Sequence, residues 1–126
     1  MPKPSPRVVS LFSGCGGLDL GLQQAGFSIA FATDNEPLCE RSHRKNFPSA
    51  AFFCGSVEDV TVDLIESNTG FGRGDITLLA GGPPCPPFSK SRFYRTEKKR
   101  GLEDPSGQTT IHGYLRLLKE LRPQAF

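Results

Sequence analysis

Arg7-Val8-Val9-Ser10-Leu11-Phe12-Ser13-Gly14-Cys15-Gly16-Gly17-Leu18-Asp19-Leu20-Gly21-Leu22 is the stretch on which the fold turns. Arg7 to Leu11 is apolar and β-prone and reads as a first strand, whereas Leu18 to Ala25, ended by Gly26, reads as a helix. Between them Phe12 to Gly17 form a glycine-rich turn. Strand, turn and helix in that order build a cradle of the nucleotide-binding kind. Glycines let a ligand approach the backbone, and free amides at a helix start favour negative or polar groups. The spacing is Gly-x-Gly-Gly and not the Gly-x-Gly-x-x-Gly of the dinucleotide fingerprint. Taken alone, the turn therefore also admits plain strand-to-helix packing.

The next elements narrow the choice. Ile29 to Thr33 reads as a second strand ending at Asp34-Asn35-Glu36. An acidic residue at the tip of that strand, on the order of 20 positions past the turn, is where a ribose hydroxyl pair is held. Glu36 stands 19 positions after Gly17 and fits this role, with Asp34 as the alternative. Asp34-Asn35 before Pro37 can instead cap the helix read over Leu38 to Asn46. A short helix over Val62 to Glu66 precedes a fourth strand over Ile76 to Ala80. That strand runs into Gly81-Gly82-Pro83-Pro84-Cys85-Pro86-Pro87-Phe88-Ser89. Cys85 thus sits just past the carboxyl end of a buried strand, where open α/β sheets place their ligands. The flanking prolines hold φ near about −65° and keep the thiol on a rigid path. Cys85 is either a nucleophile or a small apolar cap on the strand.

Together these segments resemble the cytosine-5 methyltransferases. Phe12-Ser13-Gly14-Cys15-Gly16-Gly17 is similar to the family's Phe-x-Gly-x-Gly-Gly cofactor motif, and Asn35-Glu36 to its second motif. Gly81-Gly82-Pro83-Pro84-Cys85 with Phe88-Ser89 is similar to its catalytic loop, and the likeness runs from about Val8 to Phe126. The resemblance implies an α/β fold: a Rossmann-like parallel sheet of the S-adenosylmethionine-dependent methyltransferase kind, with helices on both faces, incomplete at its carboxyl end. It implies S-adenosyl-L-methionine as cofactor and double-stranded DNA as substrate. A cytosine is flipped from the duplex, attacked at carbon 6 by a thiolate and methylated at carbon 5. By resemblance Cys85 is the catalytic nucleophile. Phe12, Ser13, Gly14, Cys15, Gly16 and Gly17 line the cofactor with Ser56 and Val57, and Glu36 binds its ribose. Pro84 shapes the floor beside the flipped base, and Ser89 and Arg92 join it on the substrate side.

The chain departs from the family in three places. Gly55-Ser56-Val57 stands where the family has Gly-Asp-Ile, so the adenine amino group would meet the neutral hydroxyl of Ser56, or else Glu58 or Asp59. Pro86-Pro87 replaces Gln-Gly after the nucleophile, which stiffens the loop. Thr109 to Leu121 reads as a helix with Ile111, Tyr114, Leu115, Leu118 and Leu121 on one face; after Arg122-Pro123, Gln124 to Phe126 reads as the start of a fifth strand. The family's Glu-Asn-Val and Arg-x-Arg motifs and its target-recognition region do not occur before Phe126. Residues 1–126 are accordingly read as the amino-terminal part of a catalytic domain, completed by a further segment or a carboxyl-terminal partner chain. The alternatives are a non-catalytic module that binds cofactor or partner, and an enzyme acting on tRNA.

Composition bounds these readings. The 126 residues make one domain with 37% apolar content. The formal net charge is +2, from 15 basic and 13 acidic residues, too mild for a dedicated polyanion binder. Locally, however, Lys90, Arg92, Arg95, Lys98, Lys99 and Arg100 surround Phe93 and Tyr94, either as a grip on DNA phosphates or as a solvated loop. Cys15, Cys39, Cys54 and Cys85 form no Cys-x-x-Cys pair, and His43 and His112 are isolated in sequence, so no metal site is expected. The absence of a signal peptide, a membrane span or a secreted disulfide pattern suggests the cytoplasm. Met1 to Pro6, Ser67 to Gly74 and Lys90 to Gln108 are the segments expected to be flexible.

Overall fold

The computed structural model describes residues 3–84 and 105–126. Its elements are β1 (Arg7–Leu11), α1 (Gly17–Gln24), β2 (Ser28–Asp34), α2 (Pro37–Asn46), β3 (Ala51–Cys54), a 3-10 turn (Val57–Asp59), α3 (Val62–Thr69), β4 (Leu78–Gly81) and α4 (Pro105–Leu121). The strands form one sheet in the order β3-β2-β1-β4, and every pairing is parallel. The register slips by one residue between β1 and β2: Val8 faces Ile29 but Val9 faces Phe31, which leaves Ala30 bulged.

Strand alternation divides the apolar residues between two cores. Val9, Leu11, Phe31 and Leu79 point to one face, where they meet Val57, Val60, Ile65, Leu117 and Leu121 from the 3-10 turn, α3 and α4. Val8, Ile29, Ala32, Phe52 and Ala80 point to the other, against Leu22 of α1 and Phe47 at the end of α2. Both faces are therefore covered, as all-parallel sheets require, and the near-continuous apolar strands follow from that. The expectation of helices on both faces of a parallel sheet is met.

The boundaries differ from expectation where side chains intervene. The fourth strand starts at Leu78 and not Ile76, although Ile76 is fully buried. α3 runs to Thr69 and not Glu66. Ser67, Asn68 and Thr69 return side-chain hydrogen bonds to the carbonyls of Asp63, Leu64 and Ile65, and Gly70 closes the helix at φ 78°. The rest of the stretch expected to be flexible, Ser67 to Gly74, is also tied down. Phe71 N–H bonds Thr69 Oγ1, Gly72 N–H bonds Asp75 Oδ2, and Gly74 N–H bonds the Leu121 carbonyl. α4 begins at Pro105, ahead of the Thr109 start read from its apolar face, because proline suits the first helical position and leaves no apolar signal there.

Close approaches fix α4 against the turn. A Cβ on Gly113 would lie 2.6 Å from Val57 Cγ1, so only glycine allows this contact. The Arg116 guanidinium donates to the carbonyls of Val57 and Val60 at 3.1 and 2.6 Å, and Tyr114 Oη donates to the Leu79 carbonyl at 2.9 Å. Beyond α4 the chain returns to the sheet: Ala125 makes a parallel bridge to Leu78, the beginning of the expected fifth strand.

Candidate cofactor site at the strand ends

The strand order reverses between β1 and β4, so the crevice beyond their carboxyl ends is the topological switch point of the sheet. The two strands meet there without room for side chains. A Cβ on Gly81 would lie 2.5 Å from the Leu11 carbonyl oxygen, which accounts for the glycine after the fourth apolar run. The glycine turn leaves β1 at this point. Phe12, Gly14 and Gly16 have φ of 53°, 58° and 99°, so three residues of the turn are left-handed and one of them is not a glycine. A strained non-glycine residue at a strand end is a common mark of a binding loop. Gly16 could carry no side chain in any case, because a Cβ would collide with the Phe47 ring.

The turn is held from two sides. On one side Ser13 N–H donates to the Thr33 carbonyl at 2.9 Å, and Gly14 N–H donates to Asp34 Oδ2 at 2.9 Å. The other oxygen of Asp34 accepts Glu36 N–H at 3.0 Å, so this carboxylate joins the turn to the start of α2. On the other side lies a buried polar chain. Ser13 Oγ donates to the Ser10 carbonyl and lies 2.8 Å from Ser10 Oγ, which in turn donates to Asp19 Oδ1 at 2.5 Å. Asp19 Oδ2 is 2.6 Å from His43 Nε2, and both side chains are fully buried. The imidazole stacks on Phe47 at 4.5 Å and tilts against Phe52 at 4.9 Å, and its Nδ1 has no hydrogen-bond partner. A buried hydrogen-bonded pair of this kind demands its partner, since breaking it leaves the remaining polar group unsatisfied.

In front of the turn is a cavity of about 360 Å³. Phe12 comes from the end of β1, Thr33, Asp34 and Asn35 from the end of β2, and Gly55, Ser56 and Val57 from beyond β3. Pro84 closes it from beyond β4, with Thr109 and Thr110 from α4. Ser56 Oγ accepts Glu58 N–H at 3.2 Å and caps the 3-10 turn. Apolar walls with a few convergent polar groups, at this volume, are the ordinary form of a small-molecule site.

Of the residues singled out from sequence, Phe12, Asp34, Asn35, Ser56, Val57 and Pro84 share this cavity. Ser13, Gly14, Cys15, Gly16 and Gly17 build the adjoining turn and helix start without lining it. Glu36 is exposed, outside the lining, and is the N-cap of α2, accepting Leu38 N–H at 3.2 Å. The capping role read for Asp34-Asn35 therefore belongs to Glu36, and the Asp34 carboxylate braces the turn instead. Cys85, Ser89, Arg92 and the basic stretch Lys90 to Arg100 lie outside the described residues. Thr33, Gly55, Thr109 and Thr110 were not anticipated. Only the side-by-side ends of the strands bring them together.

Two of the described cysteines, Cys39 and Cys54, have raised thiols. Burial, its contact with Cys15, and the Asp34 and Glu36 carboxylates push the Cys39 thiol up to about 11. Burial, followed by Glu40, Asp34 and Glu36, raises that of Cys54 against the opposing effect of Arg44. Raised values suppress the thiolate that attack requires. Among the described residues no three histidine, cysteine or acidic side chains gather as metal ligands, and no helix is long and apolar enough to cross a membrane.

The family model for C-5 cytosine-specific DNA methylases matches residues 6–126. The chain is 41% identical over 121 residues to the type II methyltransferase M.XorII of Xanthomonas oryzae pv. oryzae, covering 96% of this chain and 27% of that protein. It is 38% identical to the type II methyltransferase M.SacI of Streptomyces achromogenes, covering 94% of this chain and 33% of that protein. The crystal structure of a prophage-encoded DNA modification methyltransferase from E. coli superimposes with a TM-score of 0.71 at 29% identity, over 94% of this chain and 30% of that one. The chain thus spans about a third or less of the length of these relatives. A match over nearly its whole length means that the chain belongs to the C-5 cytosine-specific DNA methylase family.

Proposed function

We propose that this chain is the cofactor-binding and nucleophile-bearing part of a type II enzyme that methylates carbon 5 of cytosine in double-stranded DNA. It works with a carboxyl-terminal portion, on the same chain or on a separate one, that carries target recognition. The observation behind this reading is the cavity into which Phe12, Asp34, Ser56 and Pro84 converge from the ends of four parallel strands. Its volume and mixed lining suit a nucleoside-sized ligand. S-adenosyl-L-methionine is the ligand proposed, and its sulfonium supplies the methyl group.

Phe12 and Val57 offer apolar surface to the adenine. Ser56 Oγ accepts Glu58 N–H and keeps a second lone pair to accept from the adenine amino group where the family's aspartate would stand. Asp34, Asn35 and Glu36 serve the ribose end. The turn Phe12 to Gly17 gives the ligand room, since a Cβ on Gly14 would meet nothing within 4 Å. Pro84 forms the floor beside an extruded cytosine and leads the chain rigidly to Cys85. The Cys85 thiolate adds to carbon 6, which makes carbon 5 nucleophilic. Ser89, Arg92 and the neighbouring basic residues contact the base and the phosphates. The cytoplasm, where thiols stay reduced, suits such a nucleophile.

The need for a second portion is supported at the outer edge of β4. Among the described residues that edge carries only the Ala125 bridge, beside an apolar groove of about 220 Å³ bordered by Pro83, Ile111, Leu115 and Phe126. Leu115 and Phe126 are 52% and 78% exposed, an apolar surface suited to receiving further strands. The test is methyl transfer from labelled cofactor to DNA. The chain alone is expected to transfer nothing measurable, and addition of the carboxyl-terminal portion to restore transfer. In the restored enzyme Cys85→Ser abolishes covalent trapping on 5-fluorocytosine DNA and leaves cofactor binding intact. Methylation by the pure chain refutes the need for a second portion, and trapping by the serine variant refutes the nucleophile.

A further inference from the structure

Cys15 and Cys39 are 24 positions apart in sequence, yet their sulfurs lie 3.9 Å apart. Cys15 is exposed on the glycine turn, and Cys39 is partly exposed in the first turn of α2. Neither lines the cavity, and the proposed methyl transfer uses neither sulfur. Two accessible thiols at this separation, on two elements that the Asp34 carboxylate already links, form a site of their own.

We propose that Cys15 and Cys39 are a dithiol that closes to an intramolecular disulfide when it meets a low-molecular-weight disulfide such as oxidised glutathione, locking the glycine turn onto α2. Bonded sulfurs sit about 2.05 Å apart, so the pair must close by about 2 Å. Side-chain rotation covers much of that distance. The Cys15 thiolate attacks one sulfur of oxidised glutathione and expels one glutathione thiolate. The Cys39 thiolate then attacks the Cys15 sulfur of the mixed disulfide and expels the second. The chain loses two electrons and two protons, and both glutathiones leave as thiols.

The surroundings of Cys39 set the pace. Its thiol is pushed up to about 11 by burial, by Cys15, and by the Asp34 and Glu36 carboxylates facing it. The raised thiol keeps the attacking Cys39 thiolate scarce near neutrality, so ring closure speeds up as pH rises. None of this depends on the methyl-transfer reading.

The test is peptide mapping of the full chain after incubation with oxidised glutathione, acid quench and alkylation. Both cysteines lie in the tryptic peptide Val8 to Arg41, which has no internal lysine or arginine. The expected product is that peptide unalkylated and two hydrogens lighter; after cleavage on the amino side of Asp19 and Asp34, the pieces bearing Cys15 and Cys39 stay joined until a reductant is added. Cys39→Ser should halt at a glutathione adduct on Cys15. Separate glutathione adducts or alkylation on Cys15 and Cys39 of the unaltered chain would overturn the proposal, as would a link to Cys54, to Cys85 or to a second chain. A closure rate independent of pH would overturn the assignment of Cys39 as the second attacker.

Discussion

Asp34→Ala probes the brace on which the candidate site rests. The substitution removes both acceptors at once, freeing Gly14 N–H and Glu36 N–H from bonds of 2.9 and 3.0 Å. Hydrogen bonds to a charged group contribute about 1.5–3 kcal/mol each when the donor is cut off from water. The Gly14 contact is partly buried and falls in that range; the Glu36 contact is exposed, and water replaces most of it. The sum is about 2–3 kcal/mol, a large share of the roughly 5–15 kcal/mol that holds a domain together. For a chain of this size that lowers Tm by about 6–15 °C. Thermal unfolding by circular dichroism reads the loss, and calorimetry with S-adenosylhomocysteine reads the effect on the cavity. Asp34→Asn keeps one acceptor and turns an amide donor toward the other N–H, so it should lie between the alanine variant and the unaltered chain. Asp63→Ala, an exposed carboxylate in the first turn of α3, is the charge control and should cost under about 1 kcal/mol. Were Asp34→Ala to melt within about 2 °C of the unaltered chain and bind the ligand equally well, the brace would be a coincidence of geometry without energetic weight, and the reasoning would fail.

Two further substitutions test neighbouring contacts. Glu36→Ala removes the α2 cap and should lower stability by about 1 kcal/mol; if Glu36 also holds the ribose, cofactor affinity falls as well, by about 1–3 kcal/mol in calorimetry, and an unchanged affinity would move the contact to Asp34. Gly113→Ala drives a methyl group into Val57, so α4 must shift from the 3-10 turn. The overpacking should cost about 1–3 kcal/mol, and an unaltered denaturation midpoint would show that the close approach carries no constraint.

What could be read from the chain follows from how locally each feature is encoded. β1 came out with its bounds as expected, because Arg7 to Leu11 is apolar and β-prone and the glycine turn ends it sharply. The turn, Ser56-Val57 and Pro84 were also legible, each lying next to a strand whose end is marked in the sequence. The ends of α3 and α4 were not, because Ser67, Asn68, Thr69 and Pro105 carry loop signals that here serve helix termini. Asp19 and His43 were invisible as a pair. They lie on different helices, and only the packing of both helices on one sheet face brings them to 2.6 Å. That Glu36, and not Asp34-Asn35, caps α2 escaped for a related reason. Either carboxylate suits a cap by spacing, and the choice depends on Gly14 N–H arriving at Asp34 from 20 positions away.

The two-sided bracing of the turn bears on how labour would divide within the proposed enzyme. Ser13, Ser10, Asp19 and His43 hold one side through a chain that is buried from Ser10 inward, and Thr33 and Asp34 hold the other. None of these contacts needs a ligand, a DNA strand or a second chain. A loop ordered in advance does not lose conformational freedom on binding, and the affinity that would go to ordering it is kept. Cofactor binding should therefore belong to this chain by itself, whereas the attack on cytosine requires a base extruded and held by surfaces elsewhere. Separating the two is a matter of one preparation: the chain alone should take up S-adenosylhomocysteine in a one-to-one complex while leaving DNA unmethylated. A chain that bound the ligand only when the carboxyl-terminal portion was added would mean that the bracing orders the turn without making a site.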